Sequence, residues 1–250
     1  MDNDIVDEVI DELIGDIRGS MCSISGSLYE TKVHNVVRRC VTPLNQFFNT
    51  QSELDLGGSS SSPDLSCIWN GVMVHIECKH NAVDWGQSKA VLEDGRWLHK
   101  DPIVSDILNE GKLFDFKLPP PMYQDILHKD WLIMKKSNKT WDDRYFNISS
   151  NRIKEYYRQK GCSYIQINTN GLFHLGQDVC NFGVPEFNSD QKLRVRVKVH
   201  GRKLRKRKYT YVSVMCSHMS KKLKVSSRYS LDNPERLPPG LLFTDNNYFR

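Results

Sequence analysis

The chain has 250 residues, 39% hydrophobic and 26% charged, enough apolar material for one generous domain or two small ones, which excludes a disordered regulator. Its net charge of +5 is modest, and no apolar run approaches the roughly 18 residues of a membrane span. The seven cysteines are an odd, scattered set with no C-x-x-C pair, which excludes a disulfide framework or a zinc knuckle and predicts reduced thiols.

The first residues, Met1-Asp2-Asn3-Asp4, are acidic where a secretory signal is basic, so an intracellular location, cytoplasmic or nuclear, is expected. Ile5, Val6, Val9, Ile10, Leu13, Ile14 and Ile17 recur at helical spacing among seven acids. They predict an acidic amphipathic helix within residues 1–20. A second helix is expected from Ser27, where Ser27-Leu28-Tyr29-Glu30 has the form of a capping box, through Val33, Val36 and Val37. The run Gly57-Gly58-Ser59-Ser60-Ser61-Ser62-Pro63 reads as a loop, and a short strand at Ser52 to Leu56 could precede it.

Asp64 to Trp69, then Asn70-Gly71, then Val72 to Lys79 predict a β-hairpin, because both central residues of its type I′ turn need positive φ. With a two-residue loop, Trp69 pairs with Val72 and Asp64 falls opposite Glu77. Val72, Val74, Ile76 and Cys78 then share one face, while Glu77 and Lys79 share the other. Residues 84–148 read as an insertion of short helices and loops. A helix is expected from Ser149 or Ser150 to Gly161, then a hairpin about Asn170-Gly171.

Residues 192–208 carry Lys and Arg but no acid. Lys192, Arg194, Arg196 and Lys198 alternate with Leu193, Val195, Val197 and Val199. This predicts a strand whose cations repeat every 6.6 to 6.8 Å or so, near the phosphate spacing of nucleic acid. A turn near His200-Gly201 is expected to lead through Arg202, Lys203 and Arg205 into a strand from Tyr209 to Met215. The whole forms a basic hairpin for a polyanion.

Cross-strand carboxylates have Cβ atoms roughly 4.5 to 5.5 Å apart and repel each other unless positive charge sits between them, which a divalent cation held by oxygen ligands would supply. Without a cation the pair is expected to be a liability, so that removing one acid costs little stability. The chain has a single Pro-Asp, Pro63-Asp64, and the tripeptide Glu77-Cys78-Lys79 follows it.

This arrangement resembles the active-site motif of the PD-(D/E)xK nuclease superfamily, the restriction-endonuclease-like fold. The resemblance covers residues 63–79 strictly. It implies Asp64 and Glu77 as ligands of magnesium, with manganese as a substitute, the Cys78 carbonyl as a further ligand, and Lys79 beside the attacking water. It also implies an acid from the preceding helix, for which Glu30 is the candidate, although Glu30 could equally close its own capping box.

The expected fold is therefore α/β, a mixed central sheet flanked by helices. Residues 21–185 are expected to form the nuclease core, and 186–250 the basic hairpin and an extension packed on it. The expected function is a magnesium-dependent DNA endonuclease with Lys192, Arg194, Arg196, Lys198, Arg202, Lys203 and Arg205 on the nucleic acid, no membrane partner and a homodimer as one assembly. The alternatives are an RNA nuclease or DNA exonuclease of the same fold, or a non-catalytic nucleic-acid-binding protein.

Overall fold

The computed structural model describes residues 24–39, 47–48, 62–69, 72–80, 85–94, 96–110, 126–127, 143–204, 207–239 and 241. In chain order they form helix α1 (residues 24–39) and strands β1 (Phe47–Phe48), β2 (Leu65–Trp69), β3 (Val72–Lys79), β4 (Trp85–Glu93) and β5 (Arg96–Leu98). Helix α2 (Pro102–Glu110), strands β6 (Ile126–Leu127) and β7 (Arg144–Asn147) and helix α3 (Arg152–Gln159) follow. Strands β8 (Tyr164–Ile167), β9 (Gly171–His174), β10 (Ser189–Leu204) and β11 (Arg207–Leu223) complete the order. The architecture is mixed α/β, with two sheets and few helices. The expected acidic helix within residues 1–20 lies outside the described residues, as do the proposed strand at 52–56 and most of the Gly/Ser loop.

The chain divides into two units. Met1–Ala82, Lys154–Asn188 and Leu223–Arg250 make the first; Val83–Ile153 and Ser189–Lys222 make the second. Each is assembled from separated stretches of sequence.

The first unit holds a five-stranded sheet in the order β1-β2-β3-β8-β9. All its pairs are antiparallel except β3 with β8. A parallel neighbour requires a long crossover, and this one returns through α3, at the position the sequence predicts for a helix. Gly161, at φ +82°, follows that helix, and the amides of Gly161 and Cys162 cap its last turn on Arg158 and Tyr157 carbonyls.

Tyr29, Val33 and Val37 of α1 pack with Leu65, Cys67, Trp69, Val74, Ile76, Cys78 and Tyr164 in one core. This is the face of β3 predicted to be apolar. Helix α1 is already formed at residue 24, so Ser27 lies inside it and its carbonyl accepts from Thr31 Oγ1. The capping-box expectation for Ser27 is thereby corrected. The short first strand is β1, paired Phe47 to Cys67 and Phe48 to Ser66.

A buried polar network ties the C-terminal segment to this sheet. Gln166 Nε2 donates to the Tyr29 and Ser230 hydroxyls at 3.0 and 2.8 Å, and the Leu231 amide donates to Gln166 Oε1 at 2.9 Å. Tyr29 and Ser230 in turn donate to Asp232. Each buried polar atom here gains a partner, without which its burial would be costly.

The second unit holds a six-stranded sheet with the path β5-β4-β11-β10-β7 and β6 paired to β11. Ala90, Trp97, Val104, Leu108, Leu193, Val195, Val214 and Cys216 form its core. Residues 84–148, expected to be loops and short helices, instead contribute four strands and α2 to this unit. Their strands are irregular in hydrophobic pattern, and three of them, β4, β6 and β7, pair with the distant strands β10 and β11. β10 also runs past His200-Gly201 to Leu204, and β11 extends to Leu223, so the strands are longer than the sequence predicts. No helix among the described residues is long and apolar enough to cross a membrane.

Two predictions follow from this packing. Gly171 sits at φ +101°, and a Cβ there would lie 2.4 Å from the Tyr229 carbonyl oxygen, which itself accepts from the Leu172 amide at 2.8 Å. Gly171→Ala should therefore cost about 3 kcal/mol in urea unfolding, through backbone strain and loss of that contact.

In the second unit, burial lowers the pKa of His218 to about 4, with the Arg152 charge adding to the effect. Its unfolded form binds a proton near pH 6.5 and its folded form does not, so stability should fall as pH drops from about 6.5 towards 4. The loss should approach roughly 3 kcal/mol. Urea melts at pH 7 and pH 4.5 check this, and His218→Gln should flatten the difference.

Candidate active site

The β2–β3 ladder runs from Leu65 opposite Ile76 to Trp69 opposite Val72, the register predicted from a two-residue loop. The turn residues Asn70 and Gly71 themselves lie outside the described residues. Carried one step beyond the ladder, the register sets Asp64 against Glu77. Two residues past the last pair, where β2 has ended, the Cys78 amide donates to Asp64 Oδ2 at 2.8 Å. The carboxylate thus takes the place of a missing strand carbonyl and is locked to β3. A residue in an extended strand presents its N–H and C=O at the same edge, so the Cys78 carbonyl faces the Asp64 side while its thiol lies in the α1 core.

On the opposite face of β3, Lys79 reaches both acids. Its Nζ lies 2.5 Å from Glu77 Oε1 and 3.5 Å from Asp64 Oδ2. A second lysine, not singled out by the sequence pattern, joins them. Lys160, in the turn that ends α3, donates to Glu77 Oε2 at 2.8 Å, and the Cys162 thiol lies 3.8 Å from the same oxygen. Both ammonium groups also sit over the Tyr157 ring, 5.5 and 5.4 Å from its centroid. Tyr157 and Lys160 are three apart at the end of one helix and so share a face. That spacing is the only local signal for Lys160, because its meeting with Glu77 depends on the parallel crossover.

Glu77 is buried, at 2% exposure, and it survives there because each of its oxygens meets an ammonium. Burial opposes the Lys79 charge, but Tyr157, Glu77 and Asp64 around it hold its pKa well above the ordinary lysine value. Burial raises the Asp64 carboxyl, against the pull of Lys79. The Cys78 and Cys162 thiols are pushed up by burial and then by neighbouring carboxylates. They remain protonated and are not nucleophiles. The five cysteines among the described residues are free.

His75 shares the face of Glu77 and is held by Ser66, its Nδ1 lying 2.6 Å from Ser66 Oγ. Glu30 is half-buried on α1, which covers the other face of the sheet, and its charge contributes to raising the Cys78 thiol. Among the described residues no group of three His, Cys, Asp or Glu side chains is placed to hold a metal ion.

Two carboxylates and a strand carbonyl nonetheless form a donor set of hard oxygens. Such a set fits magnesium, which binds through one or two carboxylates and retains water or phosphate in its remaining positions.

In the second unit, Lys192, Arg194 and Arg196 alternate with buried Leu193 and Val195 as predicted. Arg194 is not a free cation, because its Nε donates to Asp143 Oδ2 at 2.7 Å. The side chains of Lys198, Arg202 and Lys203, and the whole of Arg205, lie outside the described residues. Ser88 and His99 also meet there at 2.6 Å, but they are not a nucleophile and its base. His99 Nδ1 accepts from the Asp101 amide, which leaves the proton on Nε2 to be donated to Ser88 Oγ.

No family model matches the chain, and no curated protein or solved structure matches it either.

The lysine pair reverses the stability expectation for the acids. Glu77→Gln would leave two buried ammonium groups sharing one partly buried carboxylate. It should therefore destabilise the protein by about 3 kcal/mol or more in urea unfolding. The double variant Glu77→Gln/Lys160→Met should recover part of that loss, since it also removes one of the stranded charges.

Proposed function

We propose that this protein is a divalent-metal-dependent nuclease of the restriction-endonuclease-like kind, acting endonucleolytically on DNA. The observation that carries the reading is Asp64 and Glu77 set opposite each other at a strand end, with one ammonium, that of Lys79, touching both. Paired oxygen acids beside a lysine can hold a divalent cation and stabilise the negative charge that develops when water attacks a phosphodiester.

Asp64 and Glu77 would hold magnesium, with the Cys78 carbonyl as a third donor. When bound, such a cation supplies Lewis-acid stabilisation and lowers the pKa of a water. The chain itself does the rest. The Cys78 amide orients Asp64, and the burial of β3 on both faces fixes Glu77. Lys79 places a positive charge where negative charge develops on the attacked phosphate and the incoming oxygen. The cations alternating along β10 supply contacts for the phosphate backbone, in competition with the internal pairing of Arg194.

A second reading is favoured by the complete pairing of Glu77 with Lys79 and Lys160: a neutral, purely structural ion-pair cluster in a nucleic-acid-binding protein. One experiment separates the two. Pure protein is incubated with supercoiled plasmid, linear duplex DNA, circular single-stranded DNA and RNA, with and without magnesium or manganese.

Metal-dependent nicking of the plasmid is expected, falling by about 100-fold or more in Asp64→Ala and in Lys79→Ala. These variants are preferred because they leave Glu77 paired with Lys160. Undiminished cleavage by Asp64→Ala overturns the site. Digestion of linear DNA alone makes the protein an exonuclease, and digestion of RNA alone an RNA nuclease. Binding without any cleavage establishes the structural reading.

A further inference from the structure

The geometry points to Lys160 as an electrostatic placeholder for the divalent cation: its ammonium occupies Glu77 Oε2 in the metal-free protein and must leave that oxygen when the cation binds. The inference rests on the metal-dependent reading above and deepens it.

Its first support is charge. Asp64 and Glu77 carry two negative charges into a site where their side chains are 12% and 3% exposed, and Lys79 can neutralise only one of them. Lys160 supplies the second positive charge, so two ammonium groups match the charge of one divalent ion. Without Lys160, Glu77 Oε2 would retain only the thiol of Cys162 at 3.8 Å, a weak donor for a buried charge.

The second support is mechanical. The backbone of Lys160 is fixed, since its own amide donates to the Tyr157 carbonyl and the next two amides donate to Arg158 and Tyr157. One residue further, the Ser163 amide donates to the His75 carbonyl of β3. The ammonium, by contrast, hangs on a flexible four-carbon stem, with one carboxylate oxygen and the face of the Tyr157 ring as its contacts. The base is thus anchored to the same strand as Glu77 while the charged end can move off it. Lys79 differs because it touches both acids and sits on β3 itself, so it is tied to the site in either state.

Lys160 is in this sense a positioning residue. It holds Glu77 in place before the cation arrives and competes with that cation for Oε2. A competing ammonium weakens metal binding and is released to solvent when the cation takes Oε2, whereas a lysine that merely braces the fold would stay on Glu77 and become no more accessible.

The test uses the full chain stripped with EDTA and no nucleic acid. Manganese alone is titrated calorimetrically into wild type, Lys160→Met and Lys160→Arg. Lys160→Met should bind manganese about tenfold more tightly, because a like charge has been removed from the site. Lys160→Arg keeps the charge and should bind as wild type does. The metal-free Lys160→Met protein should also melt lower than wild type, with manganese closing the gap.

A second measurement needs no variant. Acetylation of Lys160 by acetic anhydride, read by mass spectrometry, should accelerate in wild type when manganese saturates it. Unchanged or weaker manganese binding in Lys160→Met, or acetylation of Lys160 that manganese leaves unchanged or slows, overturns the proposal. If wild type binds no manganese at all, the metal-dependent reading itself falls, and that outcome is distinct from either of the others.

Discussion

A carboxylate on the central strand of a sheet has to be neutralised where it stands, and Glu77 imposes that requirement on the first unit. β3 is paired on both edges, to β2 and β8, and its faces are covered by the α1 core on one side and the end of α3 on the other. Water therefore cannot solvate the charge. The solution is local and covalently economical: Lys79 from the same strand, and Lys160 from the turn that delivers the chain into β8. The charge requirement thus links the parallel pairing, the position of α3 and the chemistry of the site, because the crossover that makes β8 parallel is the one that brings Lys160 to Glu77.

Asp64 plays a complementary part. It lies where β2 stops, so the Cys78 amide has lost its strand partner and takes a carboxylate oxygen in its place. A strand end is normally a source of unsatisfied backbone groups. Here that defect orients one acid against the other. Asp64 is held by a backbone amide and Lys79 stands on the strand itself, whereas Lys160 reaches Glu77 from the turn after α3.

Away from this site the same rule, that a buried polar atom requires a partner, shapes the rest. Gln166 satisfies both ends of its amide by joining α1, β8 and the segment from Ser230 to Asp232. The Gly171 position, free of a Cβ, allows the Tyr229 carbonyl to close on the β8–β9 hairpin. In the second unit, alternation alone determines which face of β10 is buried. Leu193 and Val195 enter the core, and of the half-buried cations that alternate with them Arg194 pairs with Asp143.

The sequence by itself determined the elements whose signals are short-range. Asn70-Gly71 between alternating runs set the β2–β3 register, and with it the facing of Asp64 and Glu77. Strict alternation marked the two faces of β10, and a glycine at the right distance marked the end of α3. Tertiary structure alone decided what those elements meet. Among the strands of residues 84–148, β4, β6 and β7 pair with the distant β10 and β11, so no local period announced them. Ser27 looked like a cap because its tetrapeptide has the right letters, yet the helix already runs through it. Glu30 lies on the helix that covers the Cys78 face, a placement set by the packing of α1 and not by its own tetrapeptide. Lys160 is one lysine among many in the chain, and nothing in its neighbours shows that a crossover will carry it onto Glu77. Pairings within one hairpin are written in adjacent residues, whereas the neutralisation of a buried charge depends on which distant segment the fold brings to it.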